Sequence, residues 1–269
     1  MKRYRLLSSD IDIDSRPAIL KMEIEPIQKE AIKQQLLQEY GVYAAETKLQ
    51  NFINLDSKPL SIVAFHNKFI NQIRVSFVMG AYYPALTAAC SLGERILNHL
   101  ILLLREDFIG TPEYKKVYRK DSFDNWDLVI DTLEAWNVLL PNAVTHFRTL
   151  SQVRHRAIHF NPETDHNDRP LALEAISLLN LIIAEQFSAF GSQPWFIPIP
   201  GESYLKKEAE PNPFIKKVYI PQCQLVGPFH RLEWVNHRFI VQDNIEYEDR
   251  EISDEEFVEL RQRNAANGT

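Results

Sequence analysis

The sequence predicts a mainly α-helical protein, an antiparallel helical bundle with a small β-containing region at its C-terminal end. Apolar residues recur every three or four positions through most of residues 61–190, which is the spacing of a buried helix face. After Gly191 the apolar runs shorten, and seven of the 15 prolines lie between Pro194 and Pro228, which favours a small irregular sheet. We therefore divide the chain into an N-terminal extension (1–60), a helical bundle (61–190) and a C-terminal α+β region (191–269).

The N-terminal extension is predicted to hold one short strand and two helices. Residues 18–25 alternate apolar and polar side chains, as a strand does. Pro26 suits the first turn of a helix that Gly41 ends, and a second helix covers residues 44–53. The chain shows no signal-peptide pattern and no stretch of about 18 uncharged apolar residues, so we expect a cytoplasmic protein without membrane contact.

The bundle is predicted to contain helices at residues 61–79, 84–104, 125–139 and 171–190, and a motif-bearing helix that begins at Pro141 and is broken at Asn161-Pro162. Loops of modest length between them favour an up-and-down arrangement of neighbouring helices. In the C-terminal region, the short apolar runs at 195–199, 214–220, 223–226 and 237–241 are the strand candidates. Ser253 precedes a run of acidic residues, which predicts a capped last helix over 253–263.

Composition excludes several classes of function. The 269 residues are 45% hydrophobic and carry a formal net charge of -6, which argues against a general nucleic-acid coat protein but leaves room for a local basic pocket. Two cysteines, Cys90 and Cys223, cannot form a disulfide framework or a paired-cysteine zinc site. With only eight glycines the chain has no phosphate-binding glycine loop, and we expect no cofactor.

Residues 150–162, LSQVRHRAIHFNP, concentrate the residues that can do chemistry. On a helix beginning at Pro141, Arg154 falls near the middle of the apolar half. An arginine there must pair with a carboxylate, bind an anion or lie where the face opens into a cleft, because it keeps its charge. His155 and His159 are four residues apart and so lie on one side of the helix. Together these three residues could present positive charge and two imidazoles to one phosphate.

Simpler interpretations of the same residues stay open. Arg154 could close the bundle through a salt bridge to Glu94, which lies at the border of an apolar helix face. If Glu94 is buried, losing Arg154 would cost on the order of 3 kcal/mol or more. His155 and His159 could simply be helix-end imidazoles, since the helix dipole favours cations there. A metal site completed by Asp165 and His166 is disfavoured, because neighbouring guanidinium groups would repel a dication, and we expect no metal.

The segment resembles the HEPN superfamily, whose signature is an arginine, a polar residue and, after a short gap, a histidine. Arg154, the polar His155 and His159 match that pattern. Residues 80–104 are similar to the small-residue-rich helix, with a glutamate in its middle (here Glu94), that is common in HEPN bundles. The resemblance covers roughly residues 61–190, and it implies a HEPN-like helical bundle.

The resemblance also implies an activity, which is metal-independent RNA cleavage through attack of the 2′-hydroxyl. Arg154 would bind the phosphate, His159 would transfer a proton and His155 would orient either group, with Glu94 in a supporting role. HEPN nucleases typically join two copies of the motif across a dimer cleft, so a homodimer is implied. Such proteins act as toxins or in phage defence, which implies a protein inhibitor or antitoxin as a partner. The alternatives are a non-catalytic module that binds a nucleotide, an anion or a protein, and a structural component of a larger assembly.

Overall fold

The computed structural model describes residues 1–7, 13–158, 164–235 and 238–267 of the chain. The fold is mainly helical, with a small sheet region formed largely by C-terminal strands. It divides into two compact units. The first unit, Met1–Ile11 with Ser188–Thr269, contains the sheets, and the second, Asp12–Phe187, is helical. The change of structure falls close to Gly191, whereas the first residues of the chain belong to the sheet-containing unit.

Three helices precede the bundle. They are α1 (Arg16–Lys21), α2 (Pro26–Tyr40) and α3 (Ala45–Asn54). The strand predicted over residues 18–25 is wrong, because residues 18–21 belong to α1 and residues 22–25 form no regular element. Pro17 lies in the first turn of α1 and is buried together with Leu20, three residues on, so the buried positions follow a helical spacing. Met22, which continues the alternation in the sequence, is 65% exposed and lies on no buried face.

The remaining helices of this unit are α4 (Ala64–Val78), α5 (Tyr82–Leu104), α6 (Tyr114–Val117), α7 (Trp126–Ala135), α8 (Pro141–Ile158) and α9 (Thr164–Phe187). All five helices predicted for the bundle are present, with bounds that differ by a few residues. The central helix is α5, which packs against α4, α7, α8 and α9. Its apolar stripe is fully buried, as periodicity predicts.

The helix α9 begins earlier than predicted and contains Pro170. Proline removes one backbone donor and its ring clashes with the preceding turn, and the backbone is non-helical at Asn167, three residues before it. Within the described residues, His166–Phe187 is the helix long and apolar enough to cross a membrane, with a mean hydropathy of 1.3. It packs against α4, α5 and α8, as a core helix of a bundle does.

The first unit contains a four-stranded antiparallel sheet with strand order β2-β3-β1-β4. The strands are β1 (Arg3–Leu6), β2 (Phe196–Ile199), β3 (Glu202–Leu205) and β4 (Cys223–Val226), and a separate hairpin joins β5 (Arg231–Val235) to β6 (Arg238–Gln242). Pro200 and Gly201 link β2 to β3, and Gly201 has φ +74°, which favours glycine. The last helix, α10 (Asp254–Asn267), is capped by Ser253, whose Oγ accepts a hydrogen bond from the Glu256 amide (3.1 Å).

Two features of this unit differ from the sequence prediction. The strand β1 comes from the N-terminal segment, and it faces inwards with Arg3 and Arg5, which are both buried. Arg3 is paired with Asp254 (2.8 Å), so its charge is compensated inside the unit. The strand candidate at 214–220 is wrong, because residues 215–219 form a helical turn. Its buried residues, Phe214, Ile215, Val218 and Tyr219, are spaced for a helix rather than for a strand.

Candidate functional site

Arg154 lies where α8 meets α5 and α7. The α8 residues that surround it in sequence and are buried, Leu150, Val153 and Ala157, form the apolar face that periodicity predicts. The Arg154 guanidinium forms an ion pair with Glu94 Oε2 of α5 at 3.0 Å, as the salt-bridge interpretation requires. It also lies over the ring of Trp126, the first residue of α7, 5.7 Å from the ring centre. One cation therefore contacts two other helices.

Trp126 completes this cluster, which we call the Arg154 cluster (Glu94, Trp126 and Arg154). The Trp126 indole nitrogen donates a hydrogen bond to the same Glu94 oxygen, Oε2, at 3.1 Å. Glu94 Oε2 thus accepts a hydrogen bond from Trp126 and forms an ion pair with Arg154. These two contacts fix the orientation of the Glu94 side chain. The arginine and glutamate side chains are 21% and 36% exposed, so the cluster is accessible from solvent.

Gly93 allows the three helices to approach one another at this point. A Cβ atom at position 93 would lie 2.8 Å from Leu150 Cδ2 and 2.8 Å from Trp126 Cη2, which is closer than real Cβ contacts. Neither the role of Gly93 nor that of Trp126 was identified from the sequence. The available signal was a glycine inside a helix, where it costs about 1 kcal/mol relative to alanine and so indicates a packing requirement.

His155 faces different surroundings from Arg154. It is exposed, and it lines an open depression together with Arg148, Arg156, Ser151, Gln152 and Asp127. Consecutive helical residues point about 100° apart, which explains the separation from Arg154. The structure therefore does not bring Arg154 and His155 into one depression, and the phosphate site that they would share stays a prediction.

Arg156 points to the opposite side of α8 from Arg154. Its guanidinium forms an ion pair with Glu174 of α9 at 3.0 Å, whereas Arg154 contacts α5 and α7. The two side chains are 52% and 42% exposed, so this is a surface pair. Arg154 and Arg156 are two residues apart, about 200° around the helix, and their different partners show that they do not reach the same phosphate.

The predicted catalytic residue His159 lies outside the described residues. The metal alternative involves the same histidine. Within the described part of the chain, no group of three or more histidine, cysteine or acidic side chains is arranged to hold a metal ion.

Charge around the Arg154 cluster is closely compensated. Arg148 donates hydrogen bonds to Asp131 and Glu134 of α7 at 2.8 Å each, and these bonds raise the pKa of its guanidinium. Burial raises the pKa of the Cys90 thiol to about 12, even though the charge of Arg154 acts in the opposite direction. Cys90 is therefore a protonated, unreactive thiol beside the cluster.

A second group of ionisable residues lies in the first unit and was not predicted. Arg5 and Arg261 both contact Glu202 Oε1, at 2.9 and 2.8 Å, and Tyr204 donates a hydrogen bond to Glu202 Oε2 at 3.0 Å. Burial raises the pKa of Glu202, but the hydrogen bond from Arg261 and the charges of both arginines outweigh it and lower the pKa to about 2. His230 contacts Arg5 and Tyr204, and burial lowers its pKa to about 4. These groups satisfy one another, so the network stabilises the sheet.

A buried histidine of the second unit, among the residues that the structure describes, is His66 of α4. It is 2% exposed, its Nδ1 lies 2.8 Å from Ser61 Oγ, and its ring packs edge-on against Phe187. Burial lowers the pKa of His66 to about 3, with a smaller effect from His99. The imidazole is therefore neutral in the folded protein at neutral pH.

Comparison with known proteins adds no relative to these observations: no family model, no curated protein and no solved structure matches the chain.

Proposed function

We propose that the chain is a metal-independent endoribonuclease of the HEPN type, built on a HEPN-like bundle. The observation that carries the proposal is the ion pair between Arg154 and Glu94. These residues belong to the two separate segments on which the resemblance depends, the arginine-histidine segment and the helix with a central glutamate. That they meet in space supports treating both segments as parts of one site.

In the proposed reaction the RNA supplies its own nucleophile. A general base removes the proton of a 2′-hydroxyl, the 2′-oxygen attacks the adjacent phosphorus, and the 5′-oxygen leaves with a proton from a general acid. The products are a 2′,3′-cyclic phosphate and a 5′-hydroxyl. Arg154 stabilises the charge that accumulates on the phosphate oxygens, and His159 transfers a proton. Glu94 positions the guanidinium, and His155 orients the RNA strand from the neighbouring depression.

A homodimer is part of this proposal. One copy of the segment offers few groups that can bind and cleave a strand, because Arg148, Arg154 and Arg156 each have a carboxylate partner. Two copies brought together would double the positive charge and the number of imidazoles. Light scattering at micromolar concentration tests this point, and a monomer with full activity would contradict it.

The decisive experiment is cleavage of total RNA by purified protein in the presence of EDTA. We expect cleavage with cyclic-phosphate ends, loss of cleavage in Arg154→Ala and His159→Ala, and largely retained cleavage in the matched variant Arg156→Ala. Melting temperatures must be compared, because Arg154 also contacts two other helices. A folded His159→Ala protein that still cuts RNA would refute the catalytic assignment.

A second candidate function is a non-catalytic module that binds a nucleotide, an anion or a protein. The observation that favours it is the compensation of the α8 arginines by carboxylates, together with the net charge of -6. Such a module would bind labelled RNA or mononucleotide in the same EDTA buffer without cutting it. It would lose that binding in Arg154→Ala.

The biological setting proposed here follows from the ribonuclease activity. We place the protein in the cytoplasm, where its RNA substrate is found, and assign it to toxins or phage-defence effectors. Growth arrest on expression, relieved in His159→Ala, tests this assignment. A protein inhibitor or antitoxin would be recovered as a partner that prevents the arrest.

A further inference from the structure

Residues 114–120, YKKVYRK, carry a concentration of positive charge that the proposed function does not yet use. Four of the six residues 115–120 are lysine or arginine, in a chain whose formal net charge is -6. Residues 114–120 consist of α6 and the turn that follows it, and we call them the basic segment. The cationic side chains of the segment, all of them exposed, belong to Lys115, Lys116, Arg119 and Lys120.

Val117 determines which way the basic segment faces, because its side chain is fully buried. The Tyr118 N–H donates a hydrogen bond to the Tyr114 carbonyl at 2.9 Å, so the helical turn continues to Tyr118. At about 100° per residue, both tyrosines fall on one side of Val117, and Lys115 and Arg119 fall opposite it. The two tyrosine rings stack, with 5.5 Å between their centroids and 27° between their planes. The exposed surface of the segment therefore combines a stacked aromatic pair with a cationic face.

Arg105 holds the basic segment against the end of α5. It is the residue that follows α5, and its Nη1 donates hydrogen bonds to the Val117 and Lys120 carbonyls at 3.3 and 2.6 Å. These two carbonyls lie in the last turn of the segment, where a helix leaves its carbonyls without partners. The backbone that carries the cations is thus fixed by a side chain outside the segment.

Three nearby carboxylates do not pair with these cations. Glu106 and Asp121 lie against Arg105 instead, with nitrogen to oxygen distances of 3.5 and 4.0 Å. Glu113, which precedes the segment, falls about 40° from Val117 around the helix and so lies towards the buried side. The acidic residues therefore leave the cationic face open to another anion.

The cations of the basic segment differ in this respect from the arginines of α8, each of which has a carboxylate partner. Within the described residues, the side chains of Lys115, Lys116 and Lys120 take part in no ion pair or hydrogen bond. The Arg119 guanidinium lies over the ring of Tyr118, 5.0 Å from its centre, and has no carboxylate partner among the same residues. An anionic polymer can bind here without displacing a protein carboxylate, and it gains from the release of its counterions.

The basic segment lies on the side of α5 that carries the Arg154 cluster. Arg105 comes 11 residues after Glu94, which corresponds to about 20° around the helix and roughly 16 Å along its axis. Arg105 is bonded to the segment, and Glu94 is bonded to Arg154 and Trp126. A strand of several nucleotides that contacts the segment can therefore extend along α5 to the cluster.

We propose that the basic segment binds single-stranded RNA and holds the strand that reaches the Arg154 cluster. Tyr118, which is 38% exposed, stacks on a base, and the lysines and Arg119 bind phosphates. The tyrosines favour a nucleic-acid strand over an acidic protein, because every base has an aromatic face that can stack on them. The identification of this strand as the substrate rests on the proposed function, whereas binding itself does not require cleavage.

Fluorescence anisotropy with a labelled 2′-O-methyl RNA oligonucleotide tests the proposal. This probe lacks the free 2′-hydroxyl that the proposed reaction needs, so it is not consumed. We expect saturable binding by the full-length protein in low-salt EDTA buffer, with weaker binding of the duplex form and of polyglutamate of equal charge. The absence of saturable binding would overturn the proposal. Polyglutamate that binds as tightly as the RNA would also overturn it, in favour of an acidic protein partner.

Matched variants locate the binding. The double variant Lys116→Gln/Lys120→Gln is expected to weaken binding about tenfold or more and to reduce the slope of log K against log salt by about 0.7 per cation removed. The control variant Lys29→Gln/Lys216→Gln makes the same charge change at exposed positions outside the segment and is expected to keep the wild-type affinity. Equal affinity in the two double variants would overturn the proposal.

A second pair of variants tests the role of the aromatic ring. Tyr118→Ala is expected to weaken binding about fivefold or more, whereas Tyr118→Phe keeps the ring and is expected to keep the affinity. Equal affinity in both would overturn the stacking. All of these side chains are exposed, so the variants are expected to fold, and their circular dichroism and melting temperatures verify this.

The outcome for the basic segment can be separated from the outcome for the ribonuclease. A wild-type protein that binds the probe through the segment but does not cut total RNA would contradict the ribonuclease and support this proposal. A protein that cuts total RNA, and whose Lys116→Gln/Lys120→Gln variant binds the probe with wild-type affinity, would support the ribonuclease and overturn this proposal.

Discussion

The strength of the Arg154–Glu94 pair can be measured by a double-mutant cycle with Arg154→Met and Glu94→Gln. Methionine keeps much of the packing of the arginine stem, and glutamine keeps the shape of the glutamate. The coupling free energy of the cycle isolates the charge interaction from the other contacts that each side chain makes. The helical signal in circular dichroism during urea unfolding gives the free energy of unfolding for each of the four proteins.

The exposure of the pair sets the expected magnitude. Surface pairs contribute about 0.2–1 kcal/mol, whereas breaking a fully buried pair costs about 3–5 kcal/mol. The side chains are 21% and 36% exposed, and the ring of Trp126 adds a cation–π contact of about 0.5–1 kcal/mol to Arg154. We expect a coupling near 1 kcal/mol and a total loss of about 1–2 kcal/mol for Arg154→Met. The sequence-based expectation of about 3 kcal/mol or more assumes a buried Glu94, and the exposure of Glu94 lowers it.

The pair between Arg156 and Glu174 provides the control cycle. It also joins an arginine of α8 to a glutamate of a neighbouring helix, here α9, at the same ion-pair distance of 3.0 Å, but both side chains are about half exposed. We expect its coupling to be a few tenths of a kcal/mol. If the Arg154–Glu94 coupling is no larger than that of the control, the pair is an ordinary surface contact. If the Arg154–Glu94 coupling exceeds about 3 kcal/mol, solvent screens the pair less than the side-chain exposures of 21% and 36% indicate.

Three further predictions concern packing and pH. Gly93→Ala should destabilise the helical unit by about 1 kcal/mol in urea unfolding, because the new Cβ meets Leu150 and Trp126, and greater stability would contradict this. The pKa of Glu202 is lower in the folded protein than in the unfolded chain. The stability that ionised Glu202 contributes is therefore complete above pH 4.5 and is lost as the pH falls towards 2. The Glu202→Gln protein should not show this loss in acid titrations. The pKa of His66 is also lower, so stability should fall by about 2 kcal/mol between pH 6.5 and 5, and a His66→Gln protein with the same slope would refute the assignment.

The helices could be predicted because their signals are local. Apolar spacing identifies the buried face of α5, Pro26 and Gly41 bound α2, and Ser253 caps α10. Each signal lies within the element that it specifies, so no knowledge of distant neighbours is needed. The bounds shifted by a few residues where a proline inside a helix is tolerated, as Pro170 is in α9.

The N-terminal strand could not be predicted, because its inward-facing residues are charged. Arg3 and Arg5 are buried against Asp254 and Glu202, which lie about 200 or more positions away in the chain. In β1 the buried positions are arginines and the position between them is a tyrosine. This reverses the usual strand pattern, in which the buried positions are apolar and the others are polar. Only the positions of the two acidic partners reveal why those charges are inside.

Part of the candidate site could be predicted, because the position of Arg154 follows from local spacing, whereas its neighbours on other helices could not. Periodicity placed Arg154 on the buried face of α8 and left three explanations for its charge, of which a carboxylate partner is present. The contribution of Trp126 depends on how α7 crosses α8, which no spacing within either helix specifies. The turn of about 100° between Arg154 and His155 is local to α8, but the depression that His155 lines also includes Asp127 of α7, which no spacing within α8 specifies.

The partial exposure of Arg154 connects its structural and functional interpretations. A fully buried guanidinium paired with Glu94 could only stabilise the bundle, and a fully exposed one would have no fixed direction. At 21% exposure the group is held from one side by Glu94 and Trp126 and remains accessible from the other. Positioning of this kind lowers the entropy lost when an arginine binds a phosphate, because the side chain is already ordered. Under the proposed function, the same contacts that stabilise the helix packing would also hold Arg154 in position for a phosphate.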